Sequence, residues 1–314
     1  MLSHYLVVPG QPDKPLLLEE NKWVYRDHKQ ALQFPIFKGI PIFIDPNQSI
    51  FTQEDFLEEK SLYFDISKQG RFLDAVKKII PPLGYNHGMK ERYTRFLNQL
   101  KSKTPEPKIL ILGGSIETPG ANILASDPQT TVVETDVSHG PRTQAIVDGH
   151  AIPYQSGVFD GVVAHAVLEH VVDARQVVRE IHRVLKPEGL VYADTPFMQH
   201  VHGGAYDFVR FSHSGHRRLF RSFEEIESGA SAGAGTVMLW SYEYLFLSLL
   251  GYHKIAKLLI KAFCRYTGFW MPWLDRLILS RRKNLDAASG NYFIGSRSEH
   301  ILDDRDLIPY YHQQ

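Results

Sequence analysis

From residue 107 onward, short apolar runs alternate with stretches whose apolar positions recur every three or four residues. KILIL (108–112), TVVET (131–135), FDGVVAH (159–165) and GLVYADT (189–195) each read as a strand that is apolar nearly throughout. Between the last two, Val177, Val178, Ile181, Val184 and Leu185 share one face of a helix predicted over 173–185. Asp173 suits its N-cap, and Pro187 with Gly189 ends it. Strands buried on both faces and separated by helices belong in a parallel sheet covered on both sides.

Upstream the grammar differs. Residues 1–46 carry apolar clusters (Leu16–Leu18, Trp23–Tyr25, Ile40–Ile44) broken by Pro and Gly, which predicts short β segments. Residues 51–100 read as helical, with Phe72, Val76, Ile79 and Ile80 at helical spacing before Pro81-Pro82 stops the run, and a second helix from about Lys90 to Leu100. KSKTPEP (101–107) reads as a linker. The expected division is a small β-rich accessory domain (1–50), a helical linker or cap (51–106) and an α/β domain (107–314) with a helical insertion at about 238–285.

Composition narrows the function. Thirty-five basic residues balance thirty-five acidic ones, so the chain lacks the basic excess that non-specific nucleic-acid binding uses. One cysteine, Cys264, permits neither an internal disulfide nor a cysteine zinc site. Pro9, Pro12, Asp13, Lys14 and Pro15 interrupt any secretory apolar core, and the longest uncharged stretch, 228–242, is shorter than the ~20 residues of a spanning helix. A cytoplasmic protein is expected.

In a parallel sheet, ligands bind beyond the carboxyl ends of the strands. Gly113-Gly114-Ser115 follows the first strand, Glu134 and Asp136 end the second, and Asp148 sits in VDGHAIP before Ile152 and Pro153. A glycine turn admits a ligand close to backbone, an acid some twenty residues on can bond ribose hydroxyls, and a third carboxylate can accept from an exocyclic amine. Each feature alone is equally a plain turn or a solvated sheet edge. The segment 147–196, VDGHAIPYQSGVFDGVVAHAVLEHVVDARQVVREIHRVLKPEGLVYADTP, resembles the type-11 methyltransferase domain of class I S-adenosylmethionine-dependent enzymes. That resemblance implies a Rossmann-like methyltransferase sheet, mostly parallel with NYFIGSR (291–297) as an antiparallel closing strand, beside the small N-terminal β-rich domain. It implies S-adenosylmethionine as cofactor, held by Gly113, Gly114, Ser115, Asp136 (ribose), Asp148 (adenine), Gly149, His150 and His165. Two positions depart from the family: Ile111 stands where an acid is usual, and Ser115 replaces the second glycine. Glu169 and His170 of the LEH element read as braces for the following helix.

The stretch PFMQHVHGGAYDFVRFSHSGHRRLF (196–220) emerges from the carboxyl end of a strand and is rich in histidine. His200, His202 and Asp207 are the candidate proton acceptors for a hydroxyl nucleophile, and Arg210 and His213 the candidate substrate-binding residues. His200, His202 and Asp207 also offer a set of metal ligands, but such polar groups equally serve the loop itself, and no metal is expected. The pattern also resembles methyltransferases of bacterial surface-polysaccharide pathways, which points to O-methylation of a small molecule, sugar or glycan intermediate. The alternatives are a catalytically inactive scaffold of the same fold and a nucleotide-sugar enzyme on a similar sheet. FPIFKGIPIFID (34–45) resembles the strand-turn-strand of small zinc-ribbon-like proteins, without their cysteines. Lys254, Lys257, Lys261 and Arg265 line one side of an apolar segment (238–265), either the solvated face of a packed helix or a peripheral membrane contact.

Overall fold

The computed structural model describes residues 2–28, 30–60, 81, 83, 86, 88–115 and 118–313. Phe72, Val76, Ile79 and Ile80, on which the first predicted helix rests, lie outside the described residues.

The N-terminal segment forms β1 (Val7–Val8), β2 (Gln11–Pro15), β3 (Leu17–Glu19), β4 (Lys22–Arg26), β5 (Ala31–Phe37) and β6 (Ile40–Phe43), followed by the short α1 (Gln53–Leu57) and the longer α2 (Met89–Lys103). The α/β part begins with β7 (Lys108–Leu112), α3 (Pro119–Ala125), β8 (Thr131–Asp136), β9 (Ala145–Val147), β10 (Phe159–His165), α4 (Ala174–Val184) and β11 (Leu185–Pro196). It ends with α5 (His213–Leu219), β12 (Phe223–Ala232), the helices α6 (Ala234–Leu250), α7 (Lys254–Gly268) and α8 (Asp275–Ile278), then β13 (Gly290–Arg297) and α9 (Asp304–Gln313).

Among the described residues, eleven strands form one sheet in the order β12-β13-β11-β10-β7-β8-β9-β6-β5-β4-β3. Strands β7 to β11 run parallel, and β13 is antiparallel to both β11 and β12. This is the mostly parallel, Rossmann-like arrangement with an antiparallel closing strand. Alternation within each strand sends side chains to opposite faces. Leu110, Leu112, Val162 and Val191 meet Val177, Ile181 and Val184 of α4 on one face, while Ile109, Ile111 and Val163 meet Tyr93, Phe96 and Leu100 of α2 on the other. Gly161 lets α2 lie close: a Cβ there would fall 2.8 Å from Leu100 Cδ1. Asp173 caps α4 by accepting from the N–H groups of Arg175 and Gln176.

The fold departs from the sequence reading in four places. The N-terminal strands β3 to β6 continue the main sheet, while β1 and β2 pair apart from it, because β6 pairs in parallel with β9 (Ile42↔Ile146, Phe43↔Val147) and covers what would be an open edge. β9 is only three residues long, below what periodicity detects. β12 is an edge strand, half-exposed and interrupted by Glu224, Glu225 and Glu227, so it does not read as a strand. The helix α2 also runs on to Lys103, into the segment read as linker. Among the described residues, no helix is long and apolar enough to cross a membrane.

The insertion α6–α8 is tied to the sheet by one carboxylate. Asp275, fully buried, accepts from Gly233 N at 3.0 Å, Gly235 N at 2.8 Å, Thr236 N at 3.1 Å and Thr236 Oγ1 at 2.6 Å. Gly233 at the N-cap has no side chain to do this, so an acid from α8 satisfies the first turn of α6 instead. Asp275→Ala would leave those donors buried and unpaired and should lower stability by about 2–4 kcal/mol, read as a shifted urea midpoint; an unchanged midpoint would mean that the cap is dispensable.

Candidate active site

Three strand ends deliver the first cavity. β7 ends at Gly113, whose φ of +74° is open to glycine at little strain, and where a Cβ would lie 2.5 Å from Val167 Cγ2. The chain then turns so that Ser115 N donates to Asp136 Oδ2 at 2.9 Å, which locks the glycine turn to the end of β8. Burial raises the Asp136 pKa against the opposing pull of the Ser115 N–H. Asp148 follows β9 and is held on both oxygens: Oδ1 accepts from His150 N at 3.0 Å and from His150 Nδ1 at 2.6 Å, and Oδ2 from Ser49 Oγ at 2.5 Å. Burial works to raise this carboxyl, but the bonds from His150 and Ser49 outweigh it and hold the pKa below the usual range. Asp148 in turn favours a protonated His150 ring. The Asp173 N–H, however, donates to His150 Nε2 at 3.0 Å and needs that lone pair, so we assign the neutral tautomer with the proton on Nδ1.

The cavity framed this way holds about 380 Å³ and is lined by Gly113, Ser115, Asp136, Asp148, Gly149, His150 and His165 of the predicted set. Ile50 and Phe51 from the N-terminal segment add apolar wall opposite Val137 and Val172. Gly114 does not line it: the residue is buried, and a Cβ there would meet Glu134 Cβ at 3.0 Å, so its role is packing against β8. Glu134 is likewise turned away, ion-paired with Arg142.

A second cavity of about 420 Å³ adjoins the first, sharing His165, Ala166 and His202. Its wall includes Asn86, Asp194, Gln199, Ser231, Thr236 and Trp240. It also includes Glu169, whose carboxyl is fully buried and pushed up to about 8 by that burial. Glu169 was read as a helix brace; its place in a cavity has no signal in the sequence, because LEH looks alike whichever way the acid points.

Four candidates of the 196–220 loop are corrected. His200 stacks flat on Tyr244 with centroids 4.3 Å apart and borders neither cavity. Asp207 is an internal clamp, accepting from His202 N at 2.8 Å and Gly203 N at 3.1 Å and pairing with Arg210. Those bonds prevail over burial and hold its carboxyl well below the usual range, so it is no base. Arg210 is consumed by Asp207 and by the carbonyls of Gln199, at 3.0 Å, and Val209, at 2.8 Å, so it cannot hold a substrate anion. His213 is buried on α5 with Nε2 at 3.3 Å from Ser228 Oγ, away from both cavities. Of the predicted loop residues, His202 alone lines them.

The family model of the methyltransferase domain matches residues 114–193, the segment from the glycine turn to the end of β11. Those residues are similar to a methyltransferase domain, whose cofactor is S-adenosylmethionine. No curated protein matches the chain. Similar solved structures include the [4+2]-cyclase SpnF, 15% identical, covering 65% of this chain and 80% of that one at a TM-score of 0.40. Others are the Burkholderia thailandensis 1,6-didemethyltoxoflavin-N1-methyltransferase (10% identical, 90% and 98% covered, TM-score 0.42) and coclaurine N-methyltransferase (11% identical, 66% and 71% covered, TM-score 0.41). At TM-scores below 0.5, none of these neighbours bears on the assignment.

The residues of the methyltransferase domain fit the cofactor. A turn without room for a Cβ would leave backbone open to the methionine end, the buried carboxylate of Asp136 could accept from ribose hydroxyls, and apolar walls suit a purine. Asp136→Ala removes both the ribose acceptor and the bond that sets the turn. It should weaken S-adenosylhomocysteine binding at least tenfold in a calorimetric titration; unchanged affinity would mean that the ribose sits elsewhere.

Proposed function

We propose that the chain methylates a hydroxyl oxygen of a polar acceptor, a sugar or glycan intermediate, held in the second cavity. The observation that carries this reading is the make-up of that wall: Asn86, Asp194, Gln199, Ser231 and Thr236 offer hydrogen bonds around Trp240. Hydroxyl and amide groups converging beside one indole suit a hydroxyl-rich ring, whose oxygens need donors and acceptors and whose C–H face needs a flat apolar partner. No lysine or arginine lines this cavity among the described residues, so the acceptor is not selected by a strong negative charge.

Bound S-adenosylmethionine supplies an electrophilic sulfonium methyl group for in-line displacement. His165, Ala166 and His202 border both cavities and mark the passage between donor and acceptor. Asp194, at the end of β11, is fixed by Asn86 Nδ2 donating to its Oδ2 at 2.9 Å. It takes the hydroxyl proton as the new carbon–oxygen bond forms. Positioning supplies most of the acceleration, and the base adds about 10²–10⁴-fold.

Incubation of the protein with methyl-labelled S-adenosylmethionine and cell fractions should place the label in an alkali-stable methyl ether. Asp194→Asn should reduce kcat by about 10²-fold or more with little change in KM. Label recovered on nitrogen would refute hydroxyl methylation, and no incorporation into any fraction would favour the scaffold reading.

A further inference from the structure

At the passage between the two cavities, Glu169, His170 and His202 turn toward one another. Glu169 is fully buried, and neither of its carboxylate oxygens has a hydrogen-bond partner. Oε1 lies 3.7 Å from His170 Nε2 and 3.8 Å from His202 Nε2, and one ligand atom from each residue falls within 4.8 Å of the others. A buried carboxyl without donors either keeps its proton or faces a cation, and here two imidazoles converge on it.

Both rings are fixed through their far nitrogens, His170 in the manner of a ligating histidine. His170 Nδ1 donates to the carbonyl oxygen of Tyr206 at 2.8 Å, which directs the Nε2 lone pair toward Glu169. His202 Nδ1 lies between Arg210 Nη2, at 3.4 Å, and Asp207 Oδ2, at 3.5 Å, and ligation through Nε2 selects the tautomer whose Nδ1–H turns to Asp207. A carbonyl or carboxylate on the far nitrogen fixes ring orientation and tautomer in metal sites. This gives the Asp207–Arg210 clamp a purpose that its distance from the cavities otherwise leaves unexplained.

We propose that Glu169 Oε1, His170 Nε2 and His202 Nε2 bind a divalent first-row transition-metal cation. Two imidazoles with one carboxylate suit zinc, cobalt, manganese or iron. Around such a cation, ligands at ~2.0–2.2 Å stand about 3–4 Å apart, so the cluster closes by rotation of its side chains. Three protein ligands leave a position open. His202 borders both cavities, so that position faces the passage, where the acceptor oxygen can ligate and lose its proton to Asp194 more readily. This catalytic role rests on the proposed hydroxyl methylation; the cation site does not.

Cobalt(II), titrated into chelator-stripped full-length protein, should bind at one equivalent with visible d–d absorption. Glu169→Gln and His202→Asn should each weaken that binding at least tenfold, and His300→Asn, on the surface, should leave it unchanged. Circular dichroism checks that each variant is folded. Absent absorption, or undiminished binding in both folded variants, overturns the site. A parallel calorimetric titration with S-adenosylhomocysteine separates the two readings: homocysteine product bound without cobalt removes only the metal, whereas cobalt bound without it keeps the site and removes its role.

A different observation carries a second inference. The α6–α7 hairpin exposes large apolar side chains, with Tyr252 80%, Ile255 75% and Leu259 64% exposed beside Leu249, Leu250 and Phe263. Residues 244–274 contain no acid, while Lys254 and Lys257 stand exposed on α7. The flanking acids are buried and engaged, Glu243 with Arg265 at 2.8 Å and Asp275 with the α6 cap. We infer that this face lies on an anionic lipid surface, where apolar side chains insert and the lysines meet the anionic headgroups. A second copy suits it less, since isologous pairing would oppose like charges. The protein should sediment with vesicles of equal parts phosphatidylcholine and phosphatidylglycerol and not with phosphatidylcholine alone. Ile255→Glu with Leu259→Glu should reduce that binding at least tenfold. Failure to bind either vesicle, or dimerisation in solution abolished by the same pair of substitutions, overturns the inference.

Discussion

Parallel strands in register place their carboxyl ends side by side, and at β7 and β8 that geometry is held by Gly114 N donating to the Thr135 carbonyl and by a side-chain bond, Ser115 N to Asp136 Oδ2. The bond forms because Gly113 can adopt a positive φ against Val167, where a Cβ has no space. Without Asp136 the turn keeps only its backbone bond from Gly114 N to the Thr135 carbonyl. The first cavity is the space this arrangement leaves open.

The N-terminal segment completes that cavity from the other side. By pairing β6 with β9 it carries Ser49, Ile50 and Phe51 to Asp148, so the hydrogen bond from Ser49 and two apolar wall residues come from about a hundred positions upstream. The supposed accessory strands are therefore continuous with the sheet and with the cofactor cleft. On the acceptor side, the buried cap at Asp275 fixes the start of α6, the helix that brings Thr236 and Trp240 to the second cavity.

Much of this was legible in the chain. The runs 108–112, 131–135 and 159–165 are strands because burial on both faces demands continuous hydrophobicity, and Asp173 announces α4 because an N-cap needs a short side-chain acceptor. Gly113, Asp136 and Asp148 were readable because they follow strand ends at fixed spacing. What escaped depends on contacts between distant residues. Nothing local distinguishes Glu169 aimed into a cavity from a surface acid, or tells that Asp207 and Arg210 would satisfy each other and leave the acceptor to other groups. The edge strand β12 was masked by its solvent-facing glutamates, and β9 by its brevity.

Amide hydrogen exchange with and without S-adenosylhomocysteine tests most directly whether the three strand ends grip an adenosine. Protection should rise together at 112–115, 135–138 and 147–150, while β4 and β5 keep their rates. Exchange unchanged at those three segments, or slowed only elsewhere, would contradict the placement of the cofactor and the active site built around it.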